Sequence, residues 1–83
     1  MYCLSKDKLR VTEAIGFGIT ELEAPVRYIK NNELVTSIPG QKMYCIFTNN
    51  GYLMDAFESE AEAKERIKDV MQALAAGIEG FEF

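Results

Sequence analysis

Helical periodicity is sustained in one stretch, Ser59–Ala76, and the remainder of the chain has to be built around it. Ser59-Glu60-Ala61-Glu62 fits a capping box, in which the Ser59 hydroxyl accepts the Glu62 amide and the Glu62 side chain reaches back. Glu58, Glu60 and Glu62 place negative charge at the positive end of the helix dipole. Ala63, Ile67, Val70, Met71 and Leu74 form one apolar stripe. Glu60–Lys64 and Glu62–Arg66 are i,i+4 pairs in the favourable order, each worth roughly 0.2–0.5 kcal/mol. Gly77 follows the last turn and can take the left-handed C′ position. At about 1.5 Å per residue the helix spans roughly 27 Å, enough to cross four or five strands spaced about 4.8 Å apart. Lys64, Glu65, Lys68, Asp69 and Gln72 mix both signs on the opposite face, which suits water.

The segments before the helix read as strands. Tyr2-Cys3-Leu4 is a short apolar run ended by the turn Ser5-Lys6-Asp7-Lys8, and Leu9–Thr12 alternates as a half-buried strand does. In Ala14–Leu22 the apolar Ile15, Phe17 and Ile19 alternate with Gly16 and Gly18, which predicts a bent or bulged strand. Gly16-Phe17-Gly18 lacks the third glycine, the lysine and the helix of a phosphate-binding loop. After Pro25, Val26–Lys30 and Glu33–Ile38 flank Asn31-Asn32, a two-residue hairpin turn that sets Lys30 opposite Glu33 and Tyr28 opposite Val35.

Asn50-Gly51 predicts a second hairpin, between Lys42–Thr48 and Tyr52–Phe57. With those two residues as the loop, one face carries Met43, Cys45, Phe47, Met54 and Ala56, and this face is expected under the helix. The other carries Tyr44, Ile46, Thr48, Leu53, Asp55 and Phe57, which suits an oligomer interface, a ligand surface or a second core layer. The segment 78–83, Ile78-Glu79-Gly80-Phe81-Glu82-Phe83, is apolar where chain ends are usually polar. It is expected either to dock on its own domain as an edge strand or to anchor in a partner subunit.

Composition bounds the chemistry. A chain of 83 residues reads as a single domain, 1–83, and buries only about 60–65% of its unfolded surface, so a 48% hydrophobic content points to self-association. A net charge of −4 without a basic stripe argues against nucleic acid. No signal peptide and no membrane span are read, so the expected compartment is the cytoplasm, with Cys3 and Cys45 as buried free thiols. There is no histidine, which removes the commonest general base and metal ligand, and two isolated cysteines do not make a zinc site. Glu21 and Glu23 share one strand face but read as exposed carboxylates. No catalytic residue, metal site or cofactor is therefore assigned. Asp55 is the acid of most interest, since an apolar surrounding would raise its pKa, and Arg27 is the candidate cation for an acidic ligand.

Phe57-Glu58-Ser59-Glu60-Ala61-Glu62-Ala63, a strand-to-helix passage following a hairpin, resembles small uncharacterised bacterial and phage proteins built as a β-meander closed by one C-terminal helix. The likeness covers about the last 40 residues and transfers no functional residues. It implies a non-enzymatic, often oligomeric cytoplasmic protein, such as a phage-type inhibitor or regulator. The expected fold is α+β: one antiparallel sheet of four to five strands within 1–57, a helix over 59–76 packed on one face, and the apolar tail. The leading expectation for function is a non-catalytic protein-interaction module acting as a homo-oligomer through Tyr44, Ile46, Leu53, Phe57, Phe81 and Phe83. The alternative is a small-molecule-binding protein using Arg27, Tyr28, Tyr44, Tyr52 and Asp55 in a pocket between subunits.

Overall fold

A computed structural model describes residues 1–83. Its elements in order are β1 (Tyr2–Leu4), β2 (Val11–Glu13), β3 (Phe17–Leu22), β4 (Arg27–Lys30), β5 (Glu33–Thr36), β6 (Met43–Thr48), β7 (Leu53–Phe57), α1 (Glu60–Ala75) and β8 (Gly80–Glu82). The fold is α+β with one helix, and all strand pairs are antiparallel except β1–β8. No helix is long and apolar enough to cross a membrane.

The expected single sheet is instead three: β2-β1-β8, β3-β6-β7 and the hairpin β4-β5. The hairpin does not extend the central sheet because it packs across its face. Val26, Tyr28 and Val35 cover Met43, Cys45 and Ala56, forming one apolar cluster with Leu22, Phe47 and Leu53. Asn31 and Asn32 both have positive φ, 51° and 64°, as a type I′ turn requires, and the pairing Lys30↔Glu33, Ile29↔Leu34, Tyr28↔Val35 follows the register that turn sets.

The β6–β7 hairpin departs from its expected register near the turn. Thr48 N–H bonds to Tyr52 O and Gly51 N–H to Thr48 O, while Thr48 Oγ1 accepts the Tyr52 amide. The loop is thus Asn49–Gly51, with Gly51 at φ 86°. Ile46 lies opposite Asp55 but Phe47 lies opposite Leu53, so Met54 is the extra residue of a bulge. The bulge exchanges the faces of Leu53 and Met54: Leu53 joins the Cys45 cluster and Met54 joins Ile46.

The helix also takes the opposite face from the one expected. Val70 packs in a second cluster with Cys3, Ala14, Ile46, Met54 and Phe83, bordered by Phe17, Ile19, Phe57 and Ile67. Both faces of the hairpin are apolar, so alternation alone does not say which one α1 covers. Ile46 is therefore core and not interface, at 0% exposure. The buried helix positions are Ala63, Val70 and Ala73, whereas Met71 is 42% exposed.

The helix ends follow local chemistry. Ser59 Oγ accepts the Glu62 amide at 3.2 Å, and Glu60 pairs with Lys64 at 2.6 Å. At the other end Gly77, φ 74°, donates to Leu74 O while Ile78 donates to Ala73 O, the two bonds of a Schellman motif. The chain is thereby turned back so that β8 pairs parallel to β1, with Cys3 opposite Phe81. The tail docks on its own chain: Phe83 is 2% exposed, and its ring lies 5.9 Å from that of Phe17 and 4.9 Å from that of Phe81. Arg66 forms no pair with Glu62. It lies over Phe81, with 4.8 Å to the ring centroid, and donates to Glu82 O at 2.8 Å.

Candidate functional site

The Ser5–Lys8 turn is a small hydrogen-bonded device. Ser5 Oγ donates to Asp7 Oδ1 at 2.6 Å, Leu9 N–H donates to the same oxygen, and Arg10 N–H donates back to Ser5 Oγ. Lys8, at φ 66°, completes the reversal. The Ser5 hydroxyl is the main cause that holds Asp7 below the ordinary aspartate value; burial opposes it, and the Leu9 amide and, least, the Arg27 charge assist. Lys6 N–H donates to Met54 O, which fastens this turn against the outer edge of β7.

Two adjoining depressions open where the turn, β4 and β7 meet. A narrow crevice is lined by Lys6, Asp7, Arg27, Tyr28, Met54 and Asp55, among others. Beside it is a wider cleft of about 570 Å³, whose lining includes Asp7, Arg10, Arg27, Tyr52 and Leu53 with an apolar floor of Leu22, Val26 and Phe47. That volume is in the range of small-ligand sites, roughly 300–1,000 Å³. The Arg10 guanidinium lies 4.3 Å from the Tyr52 ring centroid, a stacking that fixes the direction of its N–H fork.

The charges here are distinctive in an acidic chain. Of nine lysines and arginines, five are held in ion pairs: Lys8, Lys30, Lys42, Lys64 and Arg66. Of the four that are not, Lys6, Arg10 and Arg27 line these two depressions, and only Lys68 lies elsewhere.

Four of the five expected ligand residues, Arg27, Tyr28, Tyr52 and Asp55, are brought together here. Tyr44 is not: it is half-buried on β6, between Glu21 and Phe57. The Tyr28 hydroxyl is already committed, donating to Glu58 Oε1 at 3.1 Å, and Glu58 is also paired with Lys30 at 2.6 Å. Lys30 first, then Tyr28, hold Glu58 below its ordinary value, while burial and then Glu58 raise the Tyr28 phenol. Of the expected interface set, Ile46 and Phe83 are core, and Tyr44, Leu53, Phe57 and Phe81 are half-buried. Lys6, Asp7 and Arg10 were not expected in the site. Four charges within Lys6–Arg10 are the only signal in the sequence that marks them.

Asp55 is buried at 7% exposure, and its Oδ1 accepts the amide of Ala56 at 2.8 Å. Burial pushes its pKa up; the Ala56 amide, Lys6 and Arg66 pull it partly back. A raised value means that the folded state holds the proton more tightly than the unfolded chain does. The destabilisation is fully present above the folded value and is relieved as pH falls through it towards the ordinary 3.8. Asp55→Asn keeps an acceptor for Ala56 and removes the buried charge. It is expected to gain about 1 kcal/mol at neutral pH and to lose that advantage in mild acid, as measured by urea unfolding at both pH values. An equal difference at the two pH values would refute this.

The thiols play no part here. Cys3 and Cys45 are buried in different clusters, and burial raises both. No protein-family model matches the chain, and no curated protein or solved structure matches it significantly.

Proposed function

We propose that this chain is a non-catalytic binding module whose cleft takes a small organic anion. The observation that carries this reading is the convergence of Arg10 and Arg27, neither of them in an ion pair, on one cleft with an apolar floor, with the unpaired Lys6 in the crevice beside it. Two guanidinium forks suit a carboxylate or phosphate group, and Leu22, Val26 and Phe47 suit an apolar body attached to it. The overall charge of −4 gives no long-range attraction for a polyanion, which favours a small ligand over nucleic acid. The cleft lies within one chain, so binding does not need the subunit boundary that the sequence reading supposed. A binding role is also favoured by the sequestered thiols and by the commitment of Asp55 and Asp7 to structural hydrogen bonds.

The test is an NMR titration of the intact chain with benzoate, phenyl phosphate and inorganic phosphate. The aromatic anions are expected to move the Arg10 and Arg27 side-chain resonances saturably. Arg27→Gln is expected to weaken that binding roughly tenfold or more, the scale of one charge-assisted hydrogen bond. If none of the three anions moves those resonances, or if Arg27→Gln binds as the parent does, the reading is wrong.

A further inference from the structure

The edge strands of the two three-stranded sheets are closed off, with one exception. At the outer edge of β7, the Met54 carbonyl is taken by Lys6 N–H and the Ala56 amide by the Asp55 carboxylate. At β8, Arg66 covers the Glu82 carbonyl. β2 is only three residues long, with Asn50 bonded to Thr12 and Asn49 to Ile15 at its end. These are the usual ways in which an edge is kept from pairing with another chain: short length, an inward charge and covering side chains.

β3 has none of them. It is six residues long and pairs only with β6. Asn49 N–H bonds to Gly16 O, so by the alternation of an antiparallel ladder Gly18, Thr20 and Leu22 face β6. The backbone groups of Phe17, Ile19 and Glu21 then point outward, and no hydrogen bond satisfies any of them. Neither proline, lysine nor bulge interrupts the edge, and beside Gly18 a Cβ would meet nothing within 4 Å.

We infer that β3 is the seam of a homodimer, formed by antiparallel pairing of β3 with β3 of a second copy about a two-fold axis at Ile19. The outward groups recur at every second residue, the spacing that another extended strand presents. The edge is self-complementary in this register. Ile19 meets Ile19, Phe17 meets Glu21, and each pair can exchange two N–H···O bonds. The alternative centred on Glu21 sets two carboxylates directly opposite each other and is disfavoured. Gly18 then lies opposite Thr20, where its missing side chain leaves room for the neighbouring strand. The two central sheets become one continuous sheet, and of the seam strand only Leu22, outside the paired Phe17–Glu21, lines the anion cleft.

The test is native mass spectrometry with residue-resolved amide hydrogen exchange on the intact chain, beside Glu21→Pro. Proline on an edge whose N–H faces outward leaves the β3–β6 ladder intact while removing one seam donor. The expected result is a species of twice the 9.4 kDa chain, with the amides of Phe17, Ile19 and Glu21 protected. Glu21→Pro should return the mass to one chain and leave Phe17 and Ile19 exchanging freely, with the Gly18 and Thr20 amides still protected. A monomer at all concentrations, or a dimer in which Phe17, Ile19 and Glu21 exchange freely, would overturn the assignment. So would a Glu21→Pro chain that folds and still dimerises. If Glu21→Pro unfolds, Thr20→Lys, which places a charge beside the seam on an exposed position, serves in its place with the same outcomes.

Discussion

Phe83→Ala is expected to lower the unfolding free energy by about 3 kcal/mol or more, as judged by urea denaturation of the purified chain. Phe83 is 2% exposed, sits in the cluster that holds Cys3, Ile46 and Val70, and contacts the rings of Phe17 and Phe81. Its removal leaves a cavity and also loses aromatic pairs worth roughly 0.5–1.5 kcal/mol each. Against a total stability of about 5–15 kcal/mol, this is a large fraction for one residue. The loss should appear in the stability of the single chain and leave the oligomeric mass of the folded protein unchanged. A change below about 0.5 kcal/mol would mean that the tail frays in solution and that the parallel β1–β8 pairing is not maintained.

Ile46→Ala is expected to cost a similar amount, about 3 kcal/mol. Ile46 is fully buried at the centre of β6, opposite both Ile19 on β3 and Asp55 on β7, and under Val70 of the helix. The site has little freedom to collapse, because β6 is held by a strand on each side. This substitution separates two placements of the same residue. In an interface it would shift the monomer–dimer balance and spare the unfolding midpoint; in the core it does the reverse. A lowered midpoint with an unchanged native mass is the outcome expected of a core residue.

What the sequence discloses here is what local chemistry decides. The Ser59 cap, the Gly77 stop and the Asn31-Asn32 turn each specify backbone geometry within a few residues, and all three form where their residues place them. The Asn49–Gly51 turn is also local, but its outcome depends on whether Thr48 and Tyr52 close a three-residue loop. That one residue of difference is absorbed at Met54 and changes which apolar face each neighbour joins. The face covered by α1 and the separation of the strands into three sheets depend on contacts between distant segments, to which alternation is blind. The candidate site divides in the same way. Arg27, Tyr28, Tyr52 and Asp55 stand out by residue type, whereas Lys6, Asp7 and Arg10 reach the two depressions only because the first turn is fastened to β7.

The parallel pairing of β1 with β8 has a mechanical consequence. Tension applied between the start of β1 and the end of β8 pulls two adjacent parallel strands in opposite directions along their length. The bonds from Tyr2 to Glu79 and from Phe83 to Leu4 then bear load together, as a clamp in shear, instead of opening one after another as a hairpin unzips. Resistance to stretching is a matter of unfolding rate rather than equilibrium stability. In this fold it is concentrated in β2-β1-β8, the one sheet with a parallel pair, and β1 runs straight into the Ser5 turn that borders the cleft, so a pull along this clamp bears on the cleft's own wall.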